Sequence, residues 1–222
     1  MNPGTYADRH EWRQGFQTTT AVAIASALQR IEPDVGWTLE PVDVNASAPY
    51  YNTALSNTRG ERFWLGLDEY KRRVTVHGTY GTMPDGRMWI PRDRVRDAVD
   101  PSPTISANKA PDLIAKDIGR RFLPDYRKYL DLYRADVADA TAFRAATSSL
   151  FDDIVALGNG WIKPNTRNDE RSTERTASLY DAPGINYGDL RVSGDSVRIE
   201  VSATPEFAKR FAALLVRTER QS

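Results

Sequence analysis

Basic and tyrosine side chains concentrate between residues 116 and 133 of the chain. The basic residues are Lys116, Arg120, Arg121, Arg127 and Lys128, and the tyrosines are Tyr126, Tyr129 and Tyr133. Cations that contact a phosphate backbone, combined with rings on which bases stack, are typical of sites for single-stranded nucleic acid. Four aspartates nearby lower the positive potential, and tyrosines at helical spacing also occur in ordinary cores. We name Lys116, Arg120, Arg121, Arg127, Lys128 and Tyr129 the basic corner.

Aromatic side chains in irregular segments indicate a competing possibility, a site for a protein partner. Trp89 lies in the proline-rich stretch 83–103, and Trp161 lies in the polar stretch 159–176. Tryptophan and arginine are enriched among the residues that dominate the binding energy of protein interfaces. We therefore take Trp89 and Trp161 as candidate contacts for a protein partner, with the alternative that they fill a core.

Motifs for catalysis, cofactors and metals give no positive signal. The chain has no cysteine and two histidines, His10 and His77. It contains neither of the two glycine-rich phosphate-binding motifs, GxxxxGK and GxGxxG, and no GxSxG or HExxH motif. We therefore predict no cofactor and no metal site. A hydrolase or transferase remains a further alternative, and it would combine His77, expected on the wetter face of a strand, with scattered carboxylates.

Composition limits the classes of function that remain. The 222 residues are 40% hydrophobic and 27% charged, which is typical of a folded protein. Thirty basic and thirty acidic residues cancel, which argues against a protein that coats nucleic acid. No apolar run reaches the ~18 residues that a membrane span needs. We expect a cytosolic protein that does not enter a membrane.

The basic corner is positioned by the segment Ile105–Leu123 and the helical run that follows it. Ile105 begins a short strand, and Pro111 then suits the first turn of a helix that places Ile114 and Ile118 on one face. Pro124 disfavours helix in the residue before it and favours a new helix after it. The second run, 125–157, predicts a long helix. We expect a kink or an interruption near 145–149, because Thr147, Ser148 and Ser149 are weak helix formers.

Sheet-forming sequence lies on both sides of these helices. Residues 1–17 are polar and are expected to be irregular, and Trp12 and Phe16 either dock on the body of the protein or belong to a mobile arm. A helix with Ile24 and Leu28 on one face follows. Four strands are then predicted, which favour an antiparallel meander: 37–42, 50–55, 62–67 and 73–80. Residues 159–176 are expected to be a loop or linker, followed by three strands and a closing helix.

We therefore predict an α+β fold with a mostly antiparallel sheet, a central helical pair and a smaller C-terminal β-β-β-α unit. The expected division is a main domain at 1–160 and a C-terminal subdomain at 161–222. These two parts either stand apart or pack as one unit.

Part of the chain resembles a group of proteins from one bacterial phylum and its viruses. The run SANKAPDLIAKDIGRRFLPDY, preceded by FWLGLDEYKRRVTVHGTY, is similar to segments of uncharacterised small proteins of actinobacteria, their phages and mobile elements. The resemblance covers residues 63–126 and implies no activity for any residue. It favours an accessory protein of viral or mobile-element type. Our leading hypothesis is a non-enzymatic accessory protein that acts by binding a macromolecule. A protein partner is preferred, and nucleic acid is the alternative.

Overall fold

The computed structural model describes residues 6–40, 53–68, 70–96, 98, 101–166 and 172–219, and it confirms the α+β class. The helices are α1 (Tyr6–Gly15), α2 (Ala21–Ile31), α3 (Pro91–Arg94), α4 (Pro111–Arg121), α5 (Leu123–Leu157) and α6 (Pro205–Glu219). The strands are β1 (Thr38–Leu39), β2 (Thr53–Ser56), β3 (Arg62–Asp68), β4 (Arg73–Gly78), β5 (Thr104–Ser106), β6 (Ile162–Pro164), β7 (Arg175–Leu179), β8 (Ile185–Ser193) and β9 (Ser196–Ala203).

These elements are divided between two compact units. Unit 1 comprises Met1–Gly81 and Met88–Ala135, and unit 2 comprises Thr82–Arg87 and Asp136–Ser222. The division therefore falls inside α5, whereas the domain boundary predicted from the sequence lies at residue 160. None of the helices that the structure describes combines the length and apolar character that a membrane-spanning helix needs.

Unit 1 is built on a five-stranded antiparallel meander in the order β1-β2-β3-β4-β5, as the alternating sequence predicts. The predicted strand residues at 41–42 and 50–52 lie outside the described residues. Phe63, Leu65, Val74 and Val76 form one fully buried face of this sheet. The helices contribute an apolar set that is also fully buried: Ile24, Leu28, Ile114, Ile118, Phe122 and Tyr126. The opposite face of β3 and β4 is mixed, and it carries Trp64 beside Thr75 and His77.

The N-terminal segment is helical, and the prediction of irregular structure over 1–17 is wrong from Tyr6 onward. Helix α1 passes through a π-helical turn, Phe16–Thr20, into α2. Extending an existing helix requires no new nucleus, so a polar sequence can be helical there. The docking alternative for the two rings is confirmed. Phe16 is buried, and the Trp12 ring lies 6.1 Å from it and 4.5 Å from the Arg72 guanidinium.

Helix α5 is continuous for 35 residues, so the interruption predicted near 145–149 is wrong, while the alternative of a kink stays a prediction. The reason is visible at Thr147, whose side chain is buried. Its hydroxyl donates a hydrogen bond to the carbonyl oxygen of Phe143, 2.9 Å away in the previous turn. The hydroxyl oxygen of Thr147 also accepts a hydrogen bond of 2.8 Å from the backbone N–H of Gly194. The hydroxyl therefore joins α5 to Gly194 between β8 and β9, and this tertiary contact offsets the weak helix preference of threonine.

Unit 2 is a four-stranded antiparallel sheet in the order β6-β7-β8-β9, with α6 following β9. Strand β6 lies in the stretch predicted as a loop, of which 167–171 lie outside the described residues. One sheet face packs on α5 through Phe151, which contacts a buried cluster that includes Leu190 and Val192. The prediction of antiparallel strands and a closing helix is confirmed, with one additional strand at the start.

Candidate functional site

The basic corner lies where α4 ends and α5 begins. Phe122 separates the two helices, is fully buried, and stacks on Tyr126 with ring centroids 5.0 Å apart and planes 14° apart. This anchor holds the junction in the core. Lys116, Arg120, Arg121 and Lys128 are exposed around it.

Arg127, the fifth cation of the corner, is bound between two glutamates. Its Nη1 and Nη2 donate to the two carboxylate oxygens of Glu32, each at 2.8 Å. Its Nε and Nη2 donate to the two oxygens of Glu61 at 2.8 and 2.9 Å. A guanidinium that is committed to two bidentate carboxylates is not available to a phosphate. Arg127 joins α5 to the end of α2 and to the residue before β3.

The charges in this cluster stabilise each other. The hydrogen bonds from Arg127 lower the pKa of Glu32 against the opposing effect of burial, and a hydrogen bond from Trp37 Nε1 lowers it further. The glutamates in turn raise the pKa of Arg127. Asn57 adds a 2.7 Å hydrogen bond from its Nδ2 to Glu61 Oε2. The cluster is therefore a charged clamp inside unit 1.

Two of the three tyrosines of this region, Tyr126 and Tyr129, belong to the core. The Tyr126 hydroxyl accepts a hydrogen bond from the backbone N–H of Arg62 at 2.9 Å. The carbonyl oxygens of Arg62 and Thr79 lie 2.9 and 3.0 Å from it, and the hydroxyl donates to one of them. Burial raises the pKa of Tyr126. Tyr129 is also buried, with Lys128 Nζ 5.8 Å from its ring centroid. Neither ring presents a free face on which a base could stack.

An aspartate partly neutralises the exposed cations. Asp117 accepts a 2.5 Å hydrogen bond from Lys109 Nζ and a 3.3 Å hydrogen bond from Arg120 Nη2. The Lys109 ammonium lowers the pKa of Asp117 against the opposing effect of burial. Lys116, Arg121 and Lys128 are the basic-corner cations for which the described residues show no ion pair.

The two candidate tryptophans have different environments. Trp89 is buried in unit 1, edge-on to Tyr80 at 5.1 Å and to Tyr133 at 5.9 Å between ring centroids. Trp161 belongs to unit 2 and is 46% exposed. Of the pair, Trp161 is therefore the one that a partner can contact directly.

His77 lies on the mixed face of the unit 1 sheet. It is exposed on β4 and opposite Trp64 of β3. A polar depression on the same sheet is lined by Asp68, Lys71, Arg73, Thr75 and Thr104, and it does not include His77. Within the part of the chain that the structure describes, no group of three or more His, Asp or Glu side chains is arranged to hold a metal ion. The hydrolase or transferase alternative stays a prediction.

Unit 2 exposes apolar side chains along its last strand. Val197, Ile199 and Val201 are 40%, 56% and 42% exposed. They pair with Val192, Leu190 and Gly188 of β8, so they lie on the sheet face that α5 covers elsewhere. We call these three residues the β9 surface. The apolar face of the sheet continues onto β9, but the cover provided by α5 does not.

No protein-family model, curated protein or solved structure matches this chain. Its function is therefore inferred from its own side chains and strands. The β9 surface is the feature that sequence reasoning missed. The predicted strand is confirmed at this position, but the sequence analysis gave no role to its apolar residues. Whether a helix covers such a face depends on where distant residues pack, and the strand itself carries no signal for that.

Proposed function

We propose that this protein is a non-enzymatic accessory protein that acts by binding a protein partner, and that the β9 surface of unit 2 is the contact. The support for an accessory role is the resemblance of residues 63–126 to small proteins of actinobacterial phages and mobile elements. The support for a protein partner is structural and comes from β9.

The observation that carries the proposal is the exposure of Val197, Ile199 and Val201 on a core-type sheet face. Exposed single apolar residues are ordinary, but a contiguous row of β-branched side chains on an edge strand is not. Monomeric proteins protect their edge strands with short length, charged side chains, proline or bulges. Strand β9 has eight residues and no proline, and its two charges, Arg198 and Glu200, lie on the face opposite the β9 surface. The irregularity in its pairing with β8 falls at Ile185/Tyr187, beyond the three apolar residues.

Unit 2 also exposes aromatic side chains outside the β9 surface. Phe211 of α6 is exposed and stacks on Phe207, with ring centroids 6.3 Å apart. Trp161 and Tyr187 are also about half exposed. Large aromatic side chains contribute much of the energy of protein interfaces. Extended-strand addition along the β9 edge, with side chains packing on either side, is the binding mode that fits this arrangement.

Nucleic-acid binding at the basic corner is the second candidate. The observation that favours it is the exposure of four cations, Lys116, Arg120, Arg121 and Lys128, at one helix junction. The commitment of Arg127 to Glu32 and Glu61, and the burial of Tyr126 and Tyr129, remove one cation and two of the three rings on which bases could stack. This is why we place the protein partner first.

Site-specific photo-crosslinking tests the proposal. A benzoylphenylalanine residue replaces Ile199 in one variant and Ala142 in another, because Ala142 is an exposed position on α5 within the same unit. Both variants are irradiated in cells that naturally carry the protein. We expect discrete protein adducts from position 199 and none from position 142. An absence of adducts at 199, or the same adducts at both positions, would contradict the proposal.

A further inference from the structure

The sequence of β9 is symmetric about Ile199. Residues 196–202 read Ser-Val-Arg-Ile-Glu-Val-Ser, with small polar ends, valines next, and one charge of each sign beside the central isoleucine. When such a strand pairs antiparallel with a copy of itself about Ile199, every residue type meets a suitable counterpart. The cross-strand pairs are then Ile199 with Ile199, Val197 with Val201, Arg198 with Glu200, and Ser196 with Ser202.

The charges fix the register of this pairing. Directly opposed side chains of opposite charge stabilise an antiparallel pair, and like charges destabilise it. A shift of two residues in one direction brings Arg198 opposite the second Arg198, and a shift in the other direction brings Glu200 opposite Glu200. A shift of one residue places the apolar face of one strand beside the polar face of the other. Only the register centred on Ile199 satisfies both the apolar and the charged face.

The structure leaves the second edge of β9 open to such a strand. β9 pairs with β8 on one side and is the last strand in its sheet order among the described residues. Its apolar side chains share the face of Leu190 and Val192, while Arg198 and Glu200 lie on the opposite face and form an ion pair with each other along the strand. Two copies related by a two-fold axis through Ile199 would join their sheets into one of eight strands.

We propose that the protein partner of the β9 surface is a second copy of this chain, bound by antiparallel β9–β9 pairing centred on Ile199. This inference rests on the proposed function and names its partner. A two-fold contact of this kind is isologous, so one self-complementary strand supplies both sides of the interface. The complementarity of Arg198 and Glu200 is what singles out a second copy from an unrelated strand.

Charge-reversal variants of the full chain test the inference by analytical ultracentrifugation. The wild-type chain is expected to change from monomer to dimer between about 1 and about 200 µM, because association is driven by concentration. Arg198→Glu places a glutamate opposite Glu200 in two symmetric pairs, and Glu200→Arg places an arginine opposite Arg198. Each single variant is expected to dimerise about tenfold more weakly. Both residues are exposed, so neither change disturbs the core.

An equimolar mixture of the two single variants tests directly whether the cross-strand charge pairs hold the dimer together. Each alone has lost the ion pair along its own strand, but a mixed dimer regains both cross-strand pairs. An equimolar mixture is therefore expected to recover wild-type association, as is the double variant Arg198→Glu with Glu200→Arg. A chain that stays monomeric up to the highest concentration, or a dimer that the single variants do not weaken, would overturn the inference. So would failure of the mixture to recover.

The crosslinking experiment distinguishes failure of the β9–β9 dimer from failure of the proposed function. A monomeric chain that still gives adducts with another protein at position 199 overturns the second copy as partner and leaves protein binding at the β9 surface in place. A monomeric chain with no adducts at position 199 overturns both.

Discussion

Arg127 illustrates how the environment of a residue decides its role. In the sequence it is one of five cations near three tyrosines, and nothing adjacent to it differs from the surroundings of Lys128. In the fold its guanidinium meets Glu32 from the end of α2 and Glu61 from the start of β3, at 2.8–2.9 Å. These partners are 95 and 66 positions away. The planar fork of arginine suits two bidentate carboxylates, which a lysine ammonium cannot reproduce.

This clamp predicts a specific loss of stability in acid. Arg127 lowers the pKa of Glu32 in the folded state below its usual 4.5. The resulting stabilisation is present above the unfolded pKa and is lost as the pH falls through the folded pKa. Glu32→Gln removes the titrating carboxylate, so it should reduce the unfolding free energy by about 2 kcal/mol at pH 7. It should also flatten the decline of stability below about pH 4.5, where the wild type loses this contribution.

Urea unfolding at pH 7, 5, 4 and 3 measures both effects. Asp139→Asn is the matched control, because Asp139 is an exposed carboxylate on α5. The control is expected to follow the wild-type curve. If the Glu32→Gln curve runs parallel to that of the wild type at every pH, the clamp does not contribute to acid stability.

At the scale of elements, strand β4 and helix α5 meet with no space for a side chain. A Cβ added at Gly78 would lie 2.5 Å from Cδ2 of Tyr126, whose ring is buried and whose hydroxyl is hydrogen-bonded to two strands. Gly119, inside α4, has open space around its missing Cβ. Gly78→Ala should therefore destabilise unit 1 by about 2 kcal/mol through overpacking. Gly119→Ala should stabilise it by about 0.5–1 kcal/mol, because alanine favours helix.

Denaturant midpoints at unchanged slope distinguish the two glycines. If the two glycine-to-alanine changes alter the unfolding free energy in opposite directions, the loss at Gly78 is due to packing against Tyr126. A neutral Gly78→Ala would mean that the Tyr126 ring moves aside at little cost, contrary to the geometry of the β4–α5 contact.

The elements also show which parts of the fold were predictable from sequence. Strands such as β3 and β4 were predicted because their apolar residues alternate, and helix α4 because Pro111 and its apolar spacing are local signals. The continuity of α5 was not predicted, since it depends on Thr147 meeting Gly194, 47 residues further along the chain. The sequence also could not predict that Trp89 is buried and Trp161 exposed, because both lie in predicted irregular segments whose burial depends on residues far away in the chain.

At the scale of the whole molecule, the balance of charge favours a protein partner over nucleic acid. Thirty basic and thirty acidic residues leave no net field to attract a polyanion. Unit 2 instead exposes apolar side chains on β9 and α6. Hydrophobic contact, which salt does not weaken, is therefore the expected basis of recognition.

Gel-shift titration against salt tests this expectation with single-stranded and double-stranded DNA and RNA. Four exposed cations at the basic corner neutralise at most about four phosphates, so any affinity should decline steeply with salt and vanish near about 150 mM. The variant Arg120→Ala with Arg121→Ala is compared with Lys209→Ala plus Arg210→Ala, which removes the same charge from exposed positions on α6. We expect the two double variants to behave alike. A complex that persists near 150 mM salt and is lost only in the Arg120 and Arg121 variant would make nucleic acid the partner, because a local patch would then outweigh the zero net charge.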